Sequence, residues 1–313
     1  MQGSLALHRG ILFVGDQEKT ARVQLFDLDG RRIPGGFEFR DPSVGRSAAA
    51  GIAVDDDRRI FVADTPGSQV RVFSVFGRQS AGSVSSPAGS GPRADLAGIL
   101  HAPVDVAVQG NSDEGSLVIA CAGERRHAVQ VFDPGLTWRR SLASTGDPGR
   151  IFSGVRRVGC RGRLIHVVEA GQARVQVFRD GDFLFLFTLT SRGNGRLTPA
   201  AIAPVGSCAS DGRMVVACSG AASALLLVDA AGRWIRTLAG PGEQDGAVVD
   251  PSDVVAQPGE ADRSARIAVI DRDGLRIQVF DLEGGHHSSF LVARSEEDGD
   301  ASARGETGES TGG

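Results

Sequence analysis

Apolar and polar residues alternate along the chain in short runs bounded by Gly, Asp or Pro, and the runs recur in sets of similar order. The clearest set reads Gly51-Ile-Ala-Val54, Arg59-Ile-Phe-Val-Ala-Asp64 and Gln69-Val-Arg-Val-Phe73. A period of two with Val, Ile and Phe enriched predicts half-buried or buried β-strands. Six sets align, with third-strand anchors at Phe26, Phe73, Phe132, Phe178, Val228 and Phe280, separated by 47, 59, 46, 50 and 52 residues. After the third strand comes a regular turn, as in Phe26-Asp-Leu-Asp-Gly30, Phe132-Asp-Pro-Gly135, Val228-Asp-Ala-Ala-Gly232 and Phe280-Asp-Leu-Glu-Gly284. Gly is expected there to supply a positive φ, and Asp to bond back to its own backbone. A fourth strand should follow, most visibly over 182–187 and 233–238, so each set predicts one four-stranded antiparallel sheet.

A single sheet of this size cannot cover both of its faces. Stacking six of them in a ring hides the faces and leaves only short edges, which predicts an all-β, six-bladed β-propeller. The order Gly-Ile-Ala-Val, Ile-Phe-Val-Ala-Asp, then Arg-Val-Gln-Val-Phe with Asp and Gly closing the turn resembles the NHL repeat over about residues 4–293. WD40 and Kelch patterns fit less well, because Trp138 and Trp234 are followed by Arg139 and Ile235 and the chain has no Tyr. The blades are expected at about 4–40, 48–85, 101–143, 152–190, 197–240 and 249–293. Unit one begins with its own inner strand, Ser4 to His8, and unit six ends with its own outer strand, Ser288 to Ala293. Blades one and six should therefore meet by face packing, with no strand exchanged.

Charge changes the picture at one end. Six acids against Arg294 and Arg304 in residues 294–313 account for the whole net charge of -4, leaving a neutral body. That segment lacks large apolar residues and is expected to be a disordered acidic tail. A neutral body argues against an electrostatic grip on nucleic acid or on an anionic membrane. Phe183 to Phe187 is too short to span a bilayer, and the first residues lack the basic and apolar runs of a secretory leader. A cytoplasmic monomer with reduced cysteines is the expectation.

Comparing the units separates repeated residues from particular ones. Arg22, Arg174 and Arg276 stand four residues before their anchors in units whose second strand ends in Asp16, Glu169 and Asp271. Units three and five have Cys121 with Ala128 and Cys218 with Ala224, and unit two has Asp64 facing Gln69. Charges that appear and vanish together read as structural ion pairs, worth at most about 1 kcal/mol where exposed.

The particular residues are the candidates for binding. Asp105 and Asp253 occupy equivalent inner-strand positions in blades three and six, opposite Gly51, Gly154 and Ala201 elsewhere, and Arg156 lies further inward in blade four. His101 precedes the inner strand of blade three, near Glu124, Arg125, Arg126 and His127 in its upper loop. The crossing 82–100, rich in Ser, Gly, Pro and Ala, is read as a lid or a passive linker. The resemblance implies a non-catalytic module that binds a protein or peptide through its loop-rich face, with 82–100 and 124–127 as contacts and no cofactor. One alternative is a metal-dependent hydrolase or lyase holding Ca²⁺ or Zn²⁺ with Asp105, Asp253, His101 and Glu124. Lactonase-like relatives would use Asn, however, and here neither Asn111 nor Asn194 lies on an inner strand. A second alternative is RNA binding through Arg125 and Arg126. Most other Arg pairs fall in turns on the opposite rim or beside acids, so nucleic acid is not the expected partner.

Overall fold

The computed structural model describes residues 3–16, 21–75, 77, 79–85, 97–110, 115–122, 127–142, 150–190, 195–205, 212–257, 259, 261–271 and 276–292. Blade one is β1 (Ser4–His8), β2 (Ile11–Gly15), β3 (Ala21–Phe26) and β4 (Arg32–Phe39). Blade two is β5 (Gly51–Val54), β6 (Arg59–Asp64), β7 (Gln69–Ser74) and β8 (Gln79–Ser85). Blade three is β9 (Pro103–Gln109), β10 (Ser116–Cys121), β11 (Val129–Phe132) and β12 (Trp138–Ser141). Blade four is β13 (Val155–Arg161), β14 (Leu164–Glu169), β15 (Arg174–Arg179) and β16 (Asp182–Phe187). Blade five adds a short β17 (Leu189–Thr190) beside β18 (Arg196–Pro204), followed by β19 (Met214–Ser219), β20 (Ala224–Val228) and β21 (Trp234–Ala239). Blade six is β22 (Asp253–Gln257), β23 (Arg266–Asp271), β24 (Arg276–Phe280) and β25 (His286–Leu291).

Within each blade, strands pair antiparallel in sequence order, and the first strand, or β18 in blade five, lies innermost. Inner strands neighbour one another around the ring from β1 through β5, β9, β13, β18 and β22, and β22 meets β1 again. The ring is therefore closed. As expected, no strand is exchanged: Leu5, Leu12, Val14 and Phe26 of blade one bury themselves against Ile270 and Ile277 of blade six, and Gly10 N and Ser288 Oγ add hydrogen bonds across the seam to Gln257 Oε1 at 2.8 Å and Leu28 O at 2.7 Å. Each such side chain contributes roughly 1.5–3 kcal/mol relative to exposure. All six third-strand anchors are buried.

The Asp that follows the third-strand anchor in blades one, three, five and six bonds back as expected. Asp27 Oδ1, for example, accepts from the amides of Asp29 and Arg31 at 3.0 and 2.8 Å. The glycines there do more than adopt positive φ. A Cβ on Gly77 would fall 2.6 Å from the Phe37 side chain of blade one, and one on Gly232 would fall 2.2 Å from the Phe187 ring of blade four. Arg140 stands over Gly181, Leu238 over Gly284, and Phe290 of blade six over Gly30 of blade one. Outer-strand side chains, or at Leu238 the backbone, thus sit on the turn of the next blade, and the same lock bridges the closing seam. The seam between blades two and three inverts it. There Leu136, not Gly135, takes the left-handed conformation at φ 68°, and its side chain packs into the core between the two blades. The expectation that Gly135 supplies the positive φ is corrected accordingly.

Two further expectations shift. Blade two's outer strand runs through Ser85, so the first residues of the supposed 82–100 insertion belong to β8. The far end of that crossing is fixed: Leu100 is fully buried, Gly98 N donates to Gln130 Oε1 at 2.7 Å, and Gln130 Nε2 donates to Ile99 O at 2.7 Å. Residues 86–96 and the acidic tail lie outside the described residues.

Candidate functional site

The loop-rich face is organised by the repeated polar residues. In blades two, four and six the acid ending the second strand accepts from the backbone of the crossing that leads into its own blade. Asp64 Oδ1 takes Ala48 N at 3.1 Å, Glu169 Oε1 takes Ser153 N at 2.8 Å, and Asp271 Oδ2 takes Val249 N at 3.0 Å. An Arg then holds the acid, with Arg174 Nε 2.7 Å from Glu169 Oε2 and Arg276 Nη2 2.6 Å from Asp271 Oδ2. Glu169 and Asp271 are fully buried, so these are interior pairs, and removing one partner from such a pair costs about 3–5 kcal/mol. In blade two the expected Asp64–Gln69 match holds for the backbone register only. The side chain of Asp64 pairs with Arg71 at 2.9 Å, while Gln69 Nε2 reaches Asp41 at 2.7 Å. The Gln of the Val-Gln-Val-Phe strand completes the arrangement, Gln176 and Gln278 donating to the carbonyls of Arg150 and Ala247.

At the axis, six positions share one layer, each paired with the residue just before the acid or Cys that closes the second strand: Ser4, Gly51, Asp105, Arg157, Ala201 and Asp253. Three of them are charged. Arg157, from blade four, reaches across the ring: Nη1 donates to the carbonyls of Ala50 and Val104 at 3.0 and 3.1 Å, Nη2 to Gly3 O at 3.1 Å, and Nε lies 3.4 Å from Asp253 Oδ1. Asp105 Oδ2 accepts from Val158 N at 2.8 Å and Asp253 Oδ2 from Leu5 N at 2.9 Å. One guanidinium therefore touches four other blades and closes the channel at its loop-rich end. Gly51 leaves room for this, since a Cβ there would stand 2.4 Å from Asp105 Oδ1. Below the layer lies an axial cavity of about 230 Å³ lined by residues of all six inner strands.

A family model described as NHL repeat matches residues 48–73, which carry β5, β6 and most of β7, and the chain repeats that unit six times around the axis. The chain is an NHL-repeat β-propeller. Solved structures share its fold. A chain of a crystal structure of a nidogen/laminin complex is 14% identical with a TM-score of 0.62, covering 90% of this chain and 94% of that one. A protein of unknown function from Bacteroides caccae is 10% identical with a TM-score of 0.55, covering 90% and 93%. No curated protein matches the sequence.

The throat of this NHL propeller corrects one sequence-level expectation. The residue turned inward in blade four is Arg157, not Arg156, because a β-bulge lets Val155 and Arg157 pair with successive residues of β14 and leaves Arg156 as the extra residue. Counting forward from Gly154 gave the wrong parity; counting back from the β13–β14 turn to the residue opposite Val168, which precedes Glu169, would have given Arg157. Arg156 is half-buried and feels the charges of Asp250 and Asp253. Asp105 and Asp253 share the layer as expected. His101 is half-buried before β9, and His127 Nδ1 lies 2.7 Å from Ser141 Oγ on the outer strand. Glu124, Arg125 and Arg126 lie outside the described residues. Among the described residues no three His, Cys, Asp or Glu side chains converge as a metal-holding group, and no helix is long and apolar enough to cross a membrane.

Burial raises Asp105 to about 7; the neighbouring Asp253 charge adds to this, while Arg157 and the amides of Val158 and Val106 oppose it. Asp253 is raised by burial in the same way. Burial instead lowers His166, in the core of β14, to about 4. The two groups act in opposite directions between about pH 4 and 7. Folded Asp105 keeps a proton that the unfolded chain has released, so its contribution to stability falls as pH rises through this window. Unfolded His166 takes up a proton that the folded chain refuses, so its contribution falls as pH drops. Replacing Asp105 by Asn removes the first effect only. Urea unfolding of Asp105→Asn should therefore show stability climbing more steeply from about pH 4 to 7 than in the unmodified protein. Parallel profiles would refute the assignment.

Proposed function

We propose that this propeller is a non-catalytic protein- or peptide-binding module that presents its loop-rich face to the partner. The observation that carries this is the pair of aliphatic side chains held in solvent on that face by rigid crossings. Val44 is 45% exposed and Ile151 is 50% exposed. Val44 sits in a turn closed by Gly45 N donating to Asp41 O at 2.8 Å, with Arg40 Nε donating to Gly45 O at 2.8 Å and Ser43 N to Asp41 Oδ1 at 2.9 Å. The carbonyl of Ile151 accepts from Arg174 Nη2 at 2.9 Å. Apolar groups whose backbone is already fixed lose little entropy on binding, which makes them efficient anchors. The inner-ring charges, by contrast, are engaged with one another and with the backbone. The fold shared with a chain from the nidogen/laminin complex agrees with a role in protein association.

A photo-reactive residue placed at Ile151 should yield partner or display-selected peptide adducts, while the same residue at Asp57, in the β5–β6 turn on the opposite face, should not. Val44→Glu should reduce adduct formation at 151 by tenfold or more, roughly the effect of losing about 1.4 kcal/mol. Equal labelling at 57 and 151, or no response to Val44→Glu, would overturn the proposal.

A further inference from the structure

The crossing into blade two, residues 40–47, exposes charge of one sign only. Arg40 and Arg46 are exposed on either side of Val44, and Pro42, Ser43 and Gly45 between them are exposed and uncharged. The one acid of the crossing, Asp41, is buried and committed. Its Oδ2 accepts from Arg71 Nη2 and Gln69 Nε2, each at 2.7 Å, and its Oδ1 accepts from Ser43 N at 2.9 Å. Among the described residues neither Arg40 nor Arg46 enters an ion pair. On the opposite rim, by contrast, Arg139, Arg163 and Arg263 each have a carboxylate within ion-pair distance, from Asp133, Asp180 and Glu283. The crossing into blade six has the reverse sign and exposes Glu243, Asp245 and Asp250.

The display is fixed before a partner arrives. Arg40 Nε donates to Gly45 O at 2.8 Å, which lays that guanidinium along the turn and beside Gly45, next in sequence to both Val44 and Arg46. Gly45 N closes the turn on Asp41 O at 2.8 Å, and Asp41 N donates to Ser47 Oγ at 2.8 Å. Two guanidiniums and one aliphatic side chain therefore stand together on a hydrogen-bonded platform. A guanidinium offers a planar fork that matches a carboxylate, and such charge-assisted bonds are about twice as strong as neutral ones. We propose that the crossing 40–47 receives an acidic peptide segment of the partner, with carboxylates on Arg40 and Arg46 and an aliphatic residue between them on Val44. This rests on the loop-rich face being the docking surface and adds the partner's charge. The exposed acids of the crossing into blade six disfavour the same segment there, so charge selects one sector of the face. A nucleic acid would meet the guanidiniums but leave Val44 facing bases, and residues 40–47 contain no aromatic side chain on which a base could stack.

Fluorescence anisotropy of the full chain with the labelled peptide Gly-Asp-Glu-Leu-Asp-Glu-Gly tests it, beside the amide counterpart Gly-Asn-Gln-Leu-Asn-Gln-Gly and the cationic Gly-Lys-Lys-Leu-Lys-Lys-Gly. The acidic peptide should bind about tenfold more tightly than the amide one, and the cationic peptide should not bind. Raising salt from about 0.05 to about 0.5 M should weaken the acidic peptide about fivefold, because exposed charges are screened. Arg46→Glu changes an exposed side chain and should weaken it about tenfold, whereas Glu243→Gln should not weaken it. Equal affinity for the acidic and amide peptides, no binding of the acidic one, or indifference to Arg46→Glu would each overturn the assignment. Partner adducts from the photo-reactive residue at Ile151 in the same protein would then show that the docking face itself survives. Two further outcomes would also overturn it. Binding only after removal of residues 294–313 would make the chain's own acidic end the occupant, and tighter binding of an oligothymidylate than of the acidic peptide would make it a nucleic acid.

Discussion

Replacing Arg157 by methionine should lower the unfolding free energy by about 3–5 kcal/mol, the cost of leaving two buried carboxylates without their cation. The side chain is 4% exposed and bonds to the carbonyls of Gly3, Ala50 and Val104 while it approaches Asp253. Methionine keeps much of the volume, so the loss reports charge and hydrogen bonds more than a cavity. Adding Asp105→Asn and Asp253→Asn to Arg157→Met should recover part of the stability, because the orphaned charges go with the cation. Arg156→Met, one residue away on the bulge, is expected to cost less than half as much. Urea unfolding of the four proteins measures all of this, and equal losses at positions 156 and 157 would show that the bulge has been placed wrongly.

The second large effect concerns ring closure. Gly30 has φ 84° and a site for Cβ only 2.6 Å from the Phe290 ring, whereas Gly10 has φ 79° with nothing within 4 Å. Alanine in the left-handed region costs about 1–2 kcal/mol at either position, and forcing a methyl into a packed ring adds about 1–3 kcal/mol. Gly30→Ala should therefore lose about 2–5 kcal/mol and Gly10→Ala about 1–2 kcal/mol. The difference isolates the contact that joins blade six to blade one. Adding Phe290→Leu to Gly30→Ala should return part of the loss; if it returns none, the turn and the ring are not in contact.

Strands and blade number were legible because each rests on local alternation repeated six times, and the anchors from Phe26 to Phe280 all proved to be buried. Closure without strand exchange was legible too, from the complete set of strands in units one and six. What escaped depended on parity or on neighbouring blades. A single bulge in β13 exchanged Arg156 for Arg157, since one extra residue reverses which side chains face inward. Leu136 in a left-handed turn ran against propensity, and its packing between blades two and three could be seen only in three dimensions. For the same reason the acids ending the second strands were readable as ion-paired but not as anchors of the crossing loops.

The lock between an outer strand and the following turn recurs at the junction where the chain's first and last blades meet. The closing junction is therefore built like most of its neighbours, and Ser4 and Leu291 belong to adjacent wedges. Linking those ends and cutting a crossing elsewhere should yield a circularly permuted polypeptide with the same ring, because the order of the blades in space does not depend on which of them is synthesised first.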